Sequence, residues 1–208
     1  MSCFMSDSAI LLVMNGMTAF PELLQPNGVE PFVIDGRRVE VPQCMTEFDL
    51  WMGTPISETF GGKPLLNVGG KPMFAELAIM HRFIDSGWQA RWVETYARGN
   101  QLPMFLSAWK DDKYKNQVAD PIADEVVMQR MAEIAALNGN SYFGCWDVVG
   151  WRDGKILFAE SKWFKKDHVR ETQSEWLDAG LRAGLTIENF LVVQWKSKNA
   201  ANYKDGKK

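Results

Sequence analysis

Soft metal ligands are scarce in this sequence: Cys3, Cys44 and Cys145 are its cysteines and His81 and His168 its histidines, across 208 residues. An odd cysteine count without C-x-x-C spacing offers neither a disulfide framework nor a redox pair, and so few Cys and His exclude a zinc site of the usual kind. This usage fits a reducing, cytoplasmic setting. A long apolar run is missing too. Ala9–Met14 falls well short of the roughly 20 residues a membrane helix needs, and no basic segment precedes it, so neither signal peptide nor membrane partner is expected. Nor is there an excess of one charge. With 23 Lys and Arg against 26 Asp and Glu the net charge is −3, so any nucleic-acid contact must use a local basic patch.

What the chain does have is apolar weight, 46% hydrophobic residues with nine Trp and twelve Phe. Such a composition builds one soluble domain with additions, and several of the aromatics are expected in its core. The most informative stretch is Gly144–Trp163, GCWDVVGWRDGKILFAESKW. It reads as a hairpin turning through Asp153-Gly154, a dipeptide suited to a type I′ turn. Arg152 then faces Lys155, Trp151 faces Ile156, Val149 faces Phe158, and Asp147 faces Glu160. Lys162 lies two residues further along the same face. The other face carries Trp146, Val148, Leu157 and Ala159. A hairpin apolar on both sides is covered on both sides, as in an α/β layered core. Opposed carboxylates destabilise such a pair unless a cation relieves them; the plainer alternative is a solvated face.

Around the hairpin, Phe32–Val41 reads as a small hairpin at Asp35-Gly36, followed by a helical turn near Thr46–Trp51. Residues 53–72, with the repeated Gly-Gly-Lys, read as a Gly/Pro-rich connection, and a phosphate cradle is the lesser reading because the P-loop pattern is absent. A helix is expected over Pro72–Ser86, with Phe74, Leu77, Met80, His81 and Ile84 inward and Glu76 at the border of that stripe. His81 reads as a core residue rather than a ligand. Glu76 reads equally as a cleft carboxylate and as an exposed first-turn acid. Ala90–Ala97 suits a strand, and 99–119 looks irregular. Asp120-Pro121 opens a helix with Ile122, Val126, Met131, Ile134 and Leu137 inward, ending at Gly139. A last helix is expected from Asp167 as N-cap to Gly184. Gln173, Trp176 and Gly180 share its inner face, and a Gln there must find a partner, structural or functional. Asn189–Trp195 suits a buried strand parallel to the second hairpin strand.

Helix, strand, insert, two strands, helix and strand in this order resemble the PD-(D/E)XK nuclease superfamily, whose core is a restriction-endonuclease-like αβββαβ with a mixed sheet between helices. Asp147 matches the first acid, and Glu160-Ser161-Lys162 matches E-x-K. The E-S-K followed by Asp167 and by Gln173-x-x-Trp176-Leu177 is similar to the virus-type replication-repair nuclease (VRR-NUC) branch. The resemblance spans residues 72–196, with 1–71 an N-terminal extension, about 100–140 a helical insert, and 197–208 a basic tail. Trp146 stands where the motif often has Pro, and the insert leaves Glu94, Glu125 and Glu133 as competitors of Glu76 for the helix glutamate.

The resemblance implies a metal-dependent nuclease. Asp147, Glu160, the Ser161 carbonyl and Glu76 would bind Mg²⁺, with Mn²⁺ as a substitute. Lys162 would orient or deprotonate the attacking water, and Gln173 would complete the site. Lys165, Lys166, His168 and Arg170 form a basic segment that would hold nucleic acid, DNA above RNA, by its backbone. Lys196, Lys198, Lys204, Lys207 and Lys208 would extend it. A homodimer would be needed for paired cuts. Two alternatives stand beside this reading: a catalytically silent nucleic-acid-binding or assembly module of the same fold, and an unrelated α/β domain whose two carboxylates diverge.

Overall fold

The computed structural model describes residues 19–96 and 98–198, which form a mixed α/β fold. Its sheet takes in nine strands: β1 (Gly28–Ile34), β2 (Arg37–Leu50), β3 (Leu65–Val68), β4 (Lys71–Phe74), β5 (Gln89–Glu94), β6 (Met104–Leu106), β7 (Val148–Arg152), β8 (Lys155–Trp163) and β9 (Phe190–Ser197). Three helices flank it, α1 (Ala75–Asp85), α2 (Glu125–Leu137) and α3 (Glu171–Arg182). The strand order is β4-β3-β2-β9-β8-β7-β5-β6, with β1 paired to β2. Contacts β8–β9 and β2–β9 are parallel; the remaining pairs are antiparallel.

The central hairpin has the register its sequence predicts, from Arg152 opposite Lys155 to Val148 opposite Ala159. Asp153 at φ 51° and Gly154 at φ 76° both take the left-handed conformation that a type I′ turn requires. Apolar cover on both faces is also present. Val149, Trp151, Ile156 and Phe158 pack under α2 and α3, and Val148, Leu157 and Ala159 pack under α1. Trp146 departs from the expected alternation. It sits with the first group, 5.1 Å from the Phe190 ring, because β7 starts only at Val148 and the chain turns into the sheet at Asp147. Past the hairpin, α3 crosses over to β9, whose pairing with β8 is parallel as expected for that connection.

Several expectations are corrected. The turn foreseen near Thr46–Trp51 is the second half of β2: its apolar residues alternate, and Gln43–Phe48 pair in parallel with Val192–Ser197. The 53–72 connection contains the β3–β4 hairpin, closed by Gly69 and Gly70 at positive φ, so the second Gly-Gly-Lys is a turn. Helix α1 begins three residues after Pro72. Its inner face is Glu76, Leu77, Ile79, Met80 and Phe83, while His81 is half-buried and Ile84 exposed. Residues 104–106, in the stretch expected to be irregular, add β6 to the sheet edge. Asp124, not Asp120, caps α2 by accepting from the N–H groups of Val126 and Val127; Asp120 is drawn off to Arg91 at 3.1 Å. Val127 and Ala135 therefore face inward where Val126 and Leu137 were expected. Helix α3 starts at Glu171, because Asp167 closes the preceding turn by accepting from Trp163 N–H at 2.9 Å.

Cys44 and Cys145 are buried free thiols. Among the described residues no helix is long and apolar enough to cross a membrane. Cys3, Ala9–Met14, Lys204, Lys207 and Lys208 lie outside the described residues.

Candidate active site

Where β7 begins and β8 runs on past it, the sheet gathers its buried polar side chains. Alternation along β8 sends Glu160 and Lys162 to the α3 side, following Ile156 and Phe158. Lys162 Nζ donates to Glu160 Oε1 at 2.8 Å and to Gln173 Oε1 at 2.9 Å. Gln173 returns a bond from Nε2 to Glu160 Oε1, at 2.5 Å, and its Oε1 also accepts from Arg170 N–H at 2.9 Å. All three side chains are buried. The unusual glutamine on the inner stripe of α3 thus finds both members of an ion pair as partners.

On the α1 side stands a second group. Glu76, in the first turn of α1, is buried and accepts from Lys63 Nζ at 2.6 Å. Glu94, at the end of β5, is buried beside them and accepts from Tyr96 N–H at 2.8 Å. Burial pushes the Glu94 carboxyl above the ordinary value, while Lys63 works in the opposite direction.

Asp147 connects the two groups. It sits at the strand entrance with its carbonyl held by Val93 N–H at 2.8 Å, and its Oδ2 accepts from Ser161 N–H at 2.9 Å. The N–H and C=O of a strand residue leave on the same side, so the Ser161 carbonyl also leaves β8 toward Asp147. Burial, then the charges of Glu160 and Glu76, push the Asp147 carboxyl well above the usual range against the pull of Lys63 and Lys162. Burial likewise raises Glu160, although Lys162 opposes it. The two acids converge and repel; they do not diverge into solvent.

The surroundings sort the remaining candidates. Lys165, Lys166, His168 and Arg170 are exposed on the segment leading from Lys162 to α3. Lys196, on β9, pairs with Glu47 at 2.8 Å, and Lys198 is exposed at the end of the described chain. Glu125 is exposed at the start of α2, and Glu133 pairs with Arg130 at 2.8 Å, so α2 brings neither to the site. Lys63 was not foreseen as a site residue. Its signal was the first Gly-Gly-Lys, which has the flexibility to turn a cation inward but carries no motif that says where.

The donor set suits a small oxygen-seeking cation. Glu160 Oε2 is buried with no hydrogen-bond partner among the described residues, although its twin Oε1 has two. A buried carboxylate oxygen left bare costs about 1–3 kcal/mol or more, and the neighbouring Asp147 carboxyl is pushed up by burial and by Glu160 although Lys63 and Lys162 pull the other way. Mg²⁺ commonly takes one or two carboxylates and several waters, and a main-chain carbonyl is a further hard oxygen donor. Among the described residues no three Asp, Glu, His or Cys side chains group closely enough to hold a metal alone, so carbonyl and water would have to complete the shell. The chain matches no family model, no curated protein and no solved structure.

Proposed function

We propose that this chain is a metal-dependent nuclease that hydrolyses phosphodiester bonds of nucleic acid, DNA above RNA. It would use a restriction-endonuclease-like core of the PD-(D/E)XK type, nearest in its motifs to the VRR-NUC branch. One observation carries the reading: Asp147, Glu160, Lys162 and Gln173 meet at one end of a buried hairpin with a carboxylate oxygen left bare. The element order α1, β5, β7, β8, α3, β9 supports it, with β6 and α2 as the insert.

Asp147, Glu160 and the Ser161 carbonyl would hold Mg²⁺, or Mn²⁺ in its place, with Glu76 at the margin. The bound ion would polarise the phosphate and acidify a water. Lys162 would align that water and face the negative charge growing on the phosphoryl oxygens. Its ammonium is fixed by two acceptors, so the water meets a positioned donor. Water oxygen bonds to phosphorus as the bond to the leaving sugar oxygen breaks, giving a phosphate monoester and a free hydroxyl. Lys165, Lys166, His168 and Arg170 would take the flanking phosphates, recognising backbone rather than base edges.

The test incubates labelled single-stranded, duplex, flap and four-way-junction DNA with the protein in Mg²⁺, Mn²⁺ or EDTA, beside Glu160→Ala and Lys162→Ala. Cleavage that requires metal and falls at least about a hundredfold in both variants is expected. Binding without cleavage under every metal would replace the nuclease by a silent nucleic-acid-binding module.

A further inference from the structure

Lys63 reaches the site from outside the core elements that carry the other candidates. Its segment is tied down at one end, where Asp111 Oδ1 accepts from Ser57 N–H and Oγ, both at 2.7 Å. At the other end Leu65 enters β3. Between them Gly61 at φ 81° and Gly62 at φ 82° adopt a conformation closed to most side chains, and among the described residues nothing lies within 4 Å of where a Cβ would stand. Lys63 N–H donates to the Thr59 carbonyl at 3.0 Å and closes this turn, so any swing of the ammonium comes from the torsions of its own long side chain, with open space beside the two glycines.

The Lys63 side chain is ion-paired but not enclosed. Its ammonium bonds Glu76 at 2.6 Å and lies 5.2 Å from the Phe60 ring centre and 5.4 Å from that of Trp92, while 35% of the side chain stays accessible. Glu76, Asp147 and Glu94 all act on its charge. These are the acids beside which a divalent cation would enter. An ammonium and a doubly charged ion cannot share them cheaply at such range.

Resting on the nuclease reading, we propose that Lys63 is a further substrate-positioning residue: it occupies the acidic site while no divalent cation is there, and on displacement turns to a substrate phosphate. Its two roles give effects of opposite sign. Removing the charge strengthens metal binding, because a competitor is gone, and weakens nucleic-acid binding, because a phosphate contact is gone. A lysine that merely supports the fold would weaken both or neither.

Metal-free protein is titrated with Mn²⁺ by calorimetry, and flap DNA binding is followed by fluorescence anisotropy in Ca²⁺, for wild type, Lys63→Met, Lys63→Arg and Asp147→Asn. Circular dichroism checks that each is folded. Lys63→Met should bind Mn²⁺ about tenfold tighter or more and DNA several-fold weaker, while Lys63→Arg stays near wild type on both. Mn²⁺ binding that Asp147→Asn abolishes but Lys63→Met leaves unchanged or weaker overturns the proposal and leaves the nuclease reading standing. Tighter Mn²⁺ binding with unaltered DNA affinity overturns the positioning role. Absence of Mn²⁺ binding in wild type and Lys63→Met alike overturns both.

Discussion

Replacing Gln173 with methionine tests how much of the site's order comes from one amide. The change keeps the volume of a buried side chain, so no cavity is opened, but it removes three hydrogen bonds at once. The bond from Arg170 N–H lies at the exposed start of α3, where water can replace the lost acceptor. The other two join charged partners away from water, Lys162 and Glu160, and such bonds contribute about 1.5–3 kcal/mol each. Lys162 and Glu160 keep one another at 2.8 Å, so neither charge is orphaned. The loss should therefore be about 3–6 kcal/mol, a large fraction of the roughly 5–15 kcal/mol that holds a domain folded. Urea unfolding followed by circular dichroism would read it as a lower midpoint with an unchanged slope. A loss under about 1 kcal/mol would refute the reasoning, since it would mean that water already reaches the triad and shares its bonds. The same variant should lower kcat more than it raises KM, because Lys162 stays present but loses one of the two groups that aim it.

Two further outcomes follow from the site's charge and packing. Asp147 and Glu160 titrate higher folded than unfolded, so their contribution to stability is complete below the ordinary carboxylate values of 3.8 and 4.5 and is lost as pH rises through the raised folded ones. Without metal, Asp147→Asn should raise Tm by roughly a few degrees at neutral pH and flatten its decline with rising pH; equal slopes in both proteins would sink that linkage. Gly150→Ala should cost about 1–3 kcal/mol in chemical denaturation, because the new Cβ would stand 2.2 Å from the buried Phe83 ring where α1 crosses β7. An unchanged midpoint there would mean that α1 can shift without penalty, and with it Glu76.

The hairpin was legible because its signal is local. Asp153-Gly154 dictates the turn, the turn dictates the register down to Val148 opposite Ala159, and Asp147 follows at the strand entrance, where it accepts from Ser161 N–H beside Glu160. Gln173 was legible as an anomaly, a polar residue where the helical period calls for an apolar one. Helix ends were less so. Asp120 and Asp167 read as caps, but Arg91 and Trp163 N–H, remote or folded back in the chain, draw those acids off, and Asp124 caps α2 instead. Thr46–Trp51 read as a short helical turn from a local capping pattern, and the parallel pairing of Gln43–Phe48 with β9 made its first half strand.

By itself the sequence determined an α/β layering, the central hairpin with its opposed acids, and the parallel return of β9, since alternation and turn chemistry act between near neighbours. Tertiary structure decided what joins that hairpin from afar. It brought Glu76 and Glu94 to one side of Asp147 and dismissed Glu125 and Glu133 to the surface. It also sent Lys63 from a glycine-rich connection onto Glu76. Burial gives those choices their force: a charge withdrawn from water must find a partner wherever the fold offers one, and no spacing along the chain records which partner that is.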